Sequence, residues 1–116
     1  MLASQSQLSL QITALYALAL VQQARRFHTE ALEAAREAHR RLGDGPVEEW
    51  DEAIRRCFIE SLMATGNEQE ADAVLRTAFE AVRQRVALIR SAEYQLSFTT
   101  RNADVAQLLR LAAERL

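Results

Sequence analysis

There is no lysine in this chain of 116 residues, and there are only three glycines, one proline and one cysteine. Each scarcity closes off a class of protein. A single cysteine, Cys57, cannot form an internal disulfide, so the chain is no disulfide-stapled scaffold and a reducing compartment is expected. The sequence has no glycine-rich phosphate loop and no serine nucleophile elbow. The two histidines, His28 and His39, lie near opposite ends of one predicted helix with no second ligand at i+3 or i+4, whereas a metal site needs three or four converging donors. They read as a turn histidine and a surface histidine. Cys57 follows a core stripe and reads as a small buried hydrophobe rather than a nucleophile. No metal, no cofactor and no enzymatic activity are expected.

Charge is equally uninformative about a ligand. The net charge of −2 is too small to imply a polyanion partner. All 14 basic residues are arginine, a bias that goes with GC-rich coding when alanine is so abundant. Residues 1–42 carry five Arg against three Glu, while residues 43–65 carry six acids against two Arg. Residues 1–24 have no charged side chain, which raises a signal peptide or a membrane span. The basic leading segment of a signal peptide is missing, and Gln7, Gln11, Thr13, Gln22 and Gln23 break the apolar run below the ~20 residues a span requires. A soluble, cytoplasmic protein without a membrane partner is expected.

What is present is helix-forming: Ala, Leu, Glu, Arg and Gln dominate, and strand formers are scarce. Apolar spacing predicts an all-α domain of five or six helices. The first runs from about Ser6 to Arg25, with Leu8, Ile12, Leu15 and Ala19 in one stripe that Tyr16, Leu18 and Leu20 widen. The second, about Thr29 to Arg41, opens on Thr29 as a cap, turns Ala31, Ala35, Ala38 and Leu42 inward, and pairs Glu33 with Arg36 and Glu37 with Arg41 outside. Gly43-Asp44-Gly45-Pro46 is the clearest break. A third helix, about Pro46 to Thr65, gathers Glu48, Glu49, Asp51 and Glu52 at its positive end and buries Trp50, Ile54, Cys57, Phe58 and Leu62. Gly66 stops it, and Asn67 with Glu70 forms the pattern of a capping box. The fourth helix carries Ala71, Val74, Leu75, Ala78, Phe79, Val82, Val86 and Ile89 over about five turns. A short segment from Ser91 to Phe98 follows, then a last helix capped by Asn102, with Val105, Leu108, Leu109 and Ala112 inward. Arg76, Arg83 and Arg90 recur every seven residues, but Glu80 lies between the first two, so the line reads as a solvated ion-paired face and no nucleic-acid partner is expected.

The segment from Phe58 to Ala78 joins large apolar residues before Gly66 (Phe58, Ile59, Leu62) to Ala71, Leu75 and Ala78 after it. Small residues let two helices approach closely while bulky ones fill the gaps. In this it resembles a tetratricopeptide repeat (TPR). A weaker copy precedes it: Ala31, Ala35 and Ala38 align with Ala71, Leu75 and Ala78, Leu18 and Ala19 with Phe58 and Ile59, Gln22 with Leu62, and Arg26 with Gly66. The period exceeds the ~34 residues of a standard TPR. Downstream, Arg90-Ser91-Ala92-Glu93, Ser97-Phe98 and Arg101-Asn102 before Leu108-Leu109 and Leu111-Ala112 are similar to the tail that closes TPR arrays in large bacterial regulators, such as ATPase-linked transcriptional activators and TPR-bearing cyclases or kinases. Thr99 stands where that tail has leucine, and its usual proline is absent.

The resemblance implies one domain over residues 1–116, with a hairpin at about 6–42, a second at about 46–90 and closing helices over 91–116. It implies a right-handed array and a non-catalytic module for protein interaction or oligomerisation, part of a larger bacterial regulatory protein. The concave positions that would meet a protein or peptide partner are Thr13, Tyr16, Leu20, Gln23, Arg56, Glu60 and Met63. They lack the lysine and asparagine pattern of carboxylate clamps, so a hydrophobic or helical segment is the expected occupant. Packing of Tyr16 and Leu20 on a neighbouring helix explains those two equally well. A first helix without charge also suggests a homo-oligomer, a dimer through Leu8, Ile12 and Leu15. The alternative is a stand-alone dimeric helical bundle with a regulatory role.

Overall fold

The computed structural model describes residues 2–43 and 51–116, with side chains from residue 7 onward within those ranges. The described residues form six α-helices and no strand: α1 (Leu2–Ala24), α2 (His28–Leu42), α3 (Asp51–Ala64), α4 (Glu68–Leu88), α5 (Ala92–Arg101) and α6 (Ala103–Arg115). The protein is all-α, as its composition requires. Among the described residues no helix is long and apolar enough to cross a membrane. The expected start of the third helix at Pro46, with Glu48, Glu49 and Trp50, lies outside the described residues.

Two turns organise the chain, and they are copies of one another. Arg26 and Gly66 are the two described residues with positive φ, +62° and +81°. Around the first, the Arg26 N–H donates to the Gln23 carbonyl at 3.0 Å and the Phe27 N–H to Gln22 at 2.9 Å. Around the second, the Gly66 N–H donates to Met63 at 3.1 Å and the Asn67 N–H to Leu62 at 2.8 Å. These paired bonds are a Schellman termination, which satisfies the last carbonyls of a helix through one left-handed residue. The next helix begins alike in both cases, with Phe27 and Asn67 at ψ 73° and 62° and neither side chain capping. Every equivalence is between residue i and residue i + 40.

The turn also explains two corrections to the sequence expectation. A capping side chain needs an extended backbone, which neither Phe27 nor Asn67 has. Thr29 therefore lies inside the first turn of α2, and Asn67 donates to the Thr65 hydroxyl at 2.8 Å rather than forming a capping box with Glu70. Ser91 and Asn102 do cap α5 and α6, Asn102 accepting from the Asp104 and Val105 amides at 3.1 Å.

Packing runs in sequence, α1 on α2, α2 on α3 and α3 on α4, and α6 then lies against both α3 and α4. One core cluster joins Ala19, Ala34, Ala35, Cys57, Phe58, Ile59, Leu62, Ala71, Leu75, Ala78, Val82, Val105, Leu108 and Leu111. A second joins Ile12, Ala38, Leu42 and Ile54, with Leu8, Leu15 and Tyr16 packed on it. The inner face of α2 is alanine until Leu42, so α1 and α3 can both approach its backbone. By contrast α5 buries no residue fully; Phe98 packs on the edge of the main cluster, and polar contacts add to it. The Gln95 amide donates to the Val86 and Ile89 carbonyls that end α4, at 3.2 and 2.6 Å, and Arg85 lies over Phe98 at 5.2 Å.

Ion pairs stitch neighbouring helices. Arg36 makes a two-pronged bond to Glu70 at 2.5 and 3.0 Å, so it does not take the expected in-helix partner Glu33. Glu37 pairs with both Arg40 and Arg41, which hold its carboxyl down to about 2. Glu52, expected only to favour the helix dipole, is buried and paired with Arg85 of α4.

Candidate interaction cleft

Beside α3, which packs on both α1 and α6, a cleft of about 230 Å³ opens between Tyr16, Leu20 and Gln23 of α1, Ala53, Arg56, Cys57 and Glu60 of α3, and Asp104 of α6. The helical repeat places these residues together. Tyr16, Leu20 and Gln23 follow one another at i, i+4 and i+7, and Arg56 and Glu60 are one turn apart, so each set shares a helix face. Five of the seven expected groove residues line the cleft: Tyr16, Leu20, Gln23, Arg56 and Glu60. The other two do not. Thr13 is exposed outside it, and Met63 packs on the main core cluster, because its turn of α3 already approaches Gly66.

Three groups set the chemistry of the cleft. Arg56 bridges two carboxylates, Glu60 on its own helix and Asp104 on α6, both at 3.3 Å. Tyr16 is held protonated, its phenol pushed up first by burial and then by the charge of Asp104. Gln23 spans the floor, its amide donating to the Cys57 carbonyl at 3.1 Å and to the buried Ser61 hydroxyl at 2.8 Å. Gln23 is thus committed to joining α1 to α3. Cys57 has its thiol pushed up to about 12, mainly by burial, which disfavours the thiolate.

The volume limits what the cleft can hold. Small-molecule sites span roughly 300–1,000 Å³, so this one suits a single side chain rather than a drug-sized ligand. Its balance is one guanidinium against two carboxylates over the faces of Tyr16 and Leu20. Among the described residues no group of three or more His, Cys, Asp or Glu is arranged to hold a metal ion. His39, read as a surface residue, is half-buried and packs its ring on Phe58 with centroids 4.7 Å apart.

Asp104 and the Glu52–Arg85 pair escaped the sequence reading. Asp104 stands two residues after the Asn102 cap, where an acid has a local explanation in the helix dipole, and nothing in the sequence ties it to Arg56. Comparison with known proteins adds no relative: no family model, no curated protein and no solved structure matches the chain.

The expected dimer surface requires a correction. Ile12 is 0 % exposed and packs with Ala38, Leu42 and Ile54, with Leu8 and Leu15 beside it. The stripe is filled by α2 and α3 of the same chain, because a helix followed by a close-packing partner turns its most regular apolar face toward that partner. Leu18 and Leu20 do not widen the buried face either, being 47 % and 43 % exposed.

Proposed function

We propose that the chain is a non-catalytic protein-interaction module with a TPR-like repeat, and that the cleft between α1, α3 and α6 receives one side chain of a protein partner. The observation that carries this reading is the 40-residue repeat of the turn and its flanks. Arg26 and Gly66 end their helices with the same bonds, and the pairs Ala31 and Ala71, Ala35 and Leu75, and Ala38 and Ala78 are all buried. In a repeat of this kind the first helices of successive pairs share a side, and α1 and α3 share the cleft with α6. The reading extends to a cytoplasmic setting within a larger bacterial regulatory protein, supported by the likeness of the Arg90–Ala112 segment to the closing tail of such arrays. Self-association is the second part of the reading, favoured by the exposed apolar face of α1.

The test is selection of peptides from a random display library followed by NMR with the best binder. Bound peptide should shift the Tyr16 ring and Gln23 side-chain amide signals, and Tyr16→Ala should weaken binding at least tenfold. Binding that leaves both signals in place, or that survives Tyr16→Ala, overturns the cleft assignment.

A further inference from the structure

Helix α1 carries two apolar stripes of the same design. The buried one runs through Leu8, Ile12, Leu15 and Ala19, a 4-3-4 spacing. Half a turn away lies a second, Leu10, Ala14, Ala17, Val21 and Ala24, with spacing 4-3-4-3. All five of these residues are exposed, Leu10 at 70 % and Val21 at 52 %. Apolar residues alternating at three and four along a helix form the seam of a two-helix coiled coil. Isolated exposed hydrophobes are ordinary, but a contiguous row of this kind marks a contact surface.

We infer that this seam is where two copies of the chain associate, α1 of one protomer lying along α1 of its partner in a symmetric dimer. Charge identifies the occupant. A twofold contact brings residues near the axis opposite their own copies, so any charge there meets its like. Every other described helix carries both acids and arginines, whereas residues 1–24 carry neither. Helix α1 is therefore the one described helix that can face itself in any register without setting charges of one sign against each other. The seam is also nearly palindromic. In an antiparallel register centred between residues 15 and 16, Leu10 meets the partner's Val21 and Ala14 meets the partner's Ala17. Large residues then close the ends, and alanines allow near approach at the centre. The inference does not depend on the cleft, which lies on a different face of α1.

Area sets the strength. The seam from Leu10 to Ala24 is ~21 Å long at the rise of an α-helix. With Thr13 and Leu18 at its margins it offers far fewer than the ~20–30 residues per side of a standard interface, so a weak dimer is expected, dissociating at roughly micromolar concentration.

Sedimentation velocity of the full chain, from about 1 to about 200 µM to span that range, should show a monomer passing into a dimer. Ala14→Glu and Ala17→Glu should each remain monomeric throughout with an unchanged far-ultraviolet circular dichroism spectrum, while Ala113→Glu on α6 should dimerise as the parent does. The double variant L10C/V21C should oxidise to a covalent dimer, its two introduced cysteines being too far apart on one helix to pair internally and Cys57 being buried. A parent that stays monomeric overturns the inference, as it would if the seam faces a different protein. So does a dimer that persists in Ala14→Glu and Ala17→Glu, or an L10C/V21C variant that does not cross-link.

Discussion

Between α1 and α2 the chain reverses on Arg26, and between α3 and α4 it reverses on Gly66, with the same backbone bonds around each. The side chains that fill the two pairs differ at most equivalent places. Where the second pair buries Leu62 and Leu75, the first has half-buried Gln22 and buried Ala35. Phe79 in the second corresponds to His39 in the first. The turn, and the small residues Ala31 and Ala38 that match Ala71 and Ala78, are enough to repeat the geometry, while core volume is distributed unequally. The second pair lies between neighbours, α2 with α1 on one side and α6 on the other, and needs large residues to fill the space. The first has a neighbour on one side only, and its outward face on α1 remains apolar and exposed.

The comparison breaks most visibly at its core. Leu75→Ala removes a fully buried side chain from the middle of the main cluster and should cost ~3 kcal/mol, within the range for such cavities. The reciprocal change, Ala35→Leu, forces a large residue against α1 and α3 and should cost ~2 kcal/mol by overpacking. Urea denaturation of both variants checks the pair. If Ala35→Leu were neutral, the two helix pairs would be interchangeable in packing as well as in turn geometry.

The turns give a smaller effect of opposite sign in the two halves. A left-handed residue with a Cβ costs roughly 1–2 kcal/mol relative to glycine. Nothing lies within 4 Å of a Cβ built on Gly66, so the whole cost of Gly66→Ala is conformational, ~1 kcal/mol. Arg26→Gly removes that strain from the first turn, but glycine also gains freedom in the unfolded chain, so a net stabilisation of ~0.5 kcal/mol is expected. Chemical denaturation midpoints moving in opposite directions are the signature. Two losses would mean that the Arg26 side chain stabilises the turn in some further way.

Much of this was legible in the sequence, for reasons that can be named. Helix positions followed from apolar spacing, because Ile12, Ile54, Leu75 and Leu108 each sit where a 3.6-residue period turns them inward. The alignment of Arg26 with Gly66 was also visible, but their shared conformation was not, since arginine gives no local sign of a left-handed backbone. Five cleft residues were legible because position within a helix decides which side they face. Met63 and Thr13 failed at the margins of the same faces, where a few tens of degrees separate cleft from core or solvent. Asp104, Glu52 with Arg85, and Arg36 with Glu70 were invisible because they pair residues 33 to 48 positions apart, and each charge already had a local explanation. Local propensity cannot choose between a solvated charge and one that joins two helices.

The smallest expected effect concerns the place where the halves differ most in chemistry, His39 against Phe79. Burial against Phe58 lowers the His39 pKa first, and Arg55 and Arg36 lower it further; Glu70 opposes them. A histidine whose folded pKa lies below its unfolded value of about 6.5 contributes stability that is present above that value and is lost as pH falls through the folded one. Lowering the pH from about 7.5 to about 5.5 should therefore reduce the unfolding free energy of the parent. The paired carboxylates Glu37 and Glu70 cannot mimic this, because their pKa values are lowered from 4.5 and they begin to lose their contribution only nearer that value. His39→Phe, which copies the second pair into the first, should flatten the profile over this window, as read from urea midpoints at the two pH values. An equal slope in parent and variant would place the titrating group elsewhere and remove His39 from the account. A flat variant would show that the first pair carries a proton-sensitive seam where the second carries an inert one.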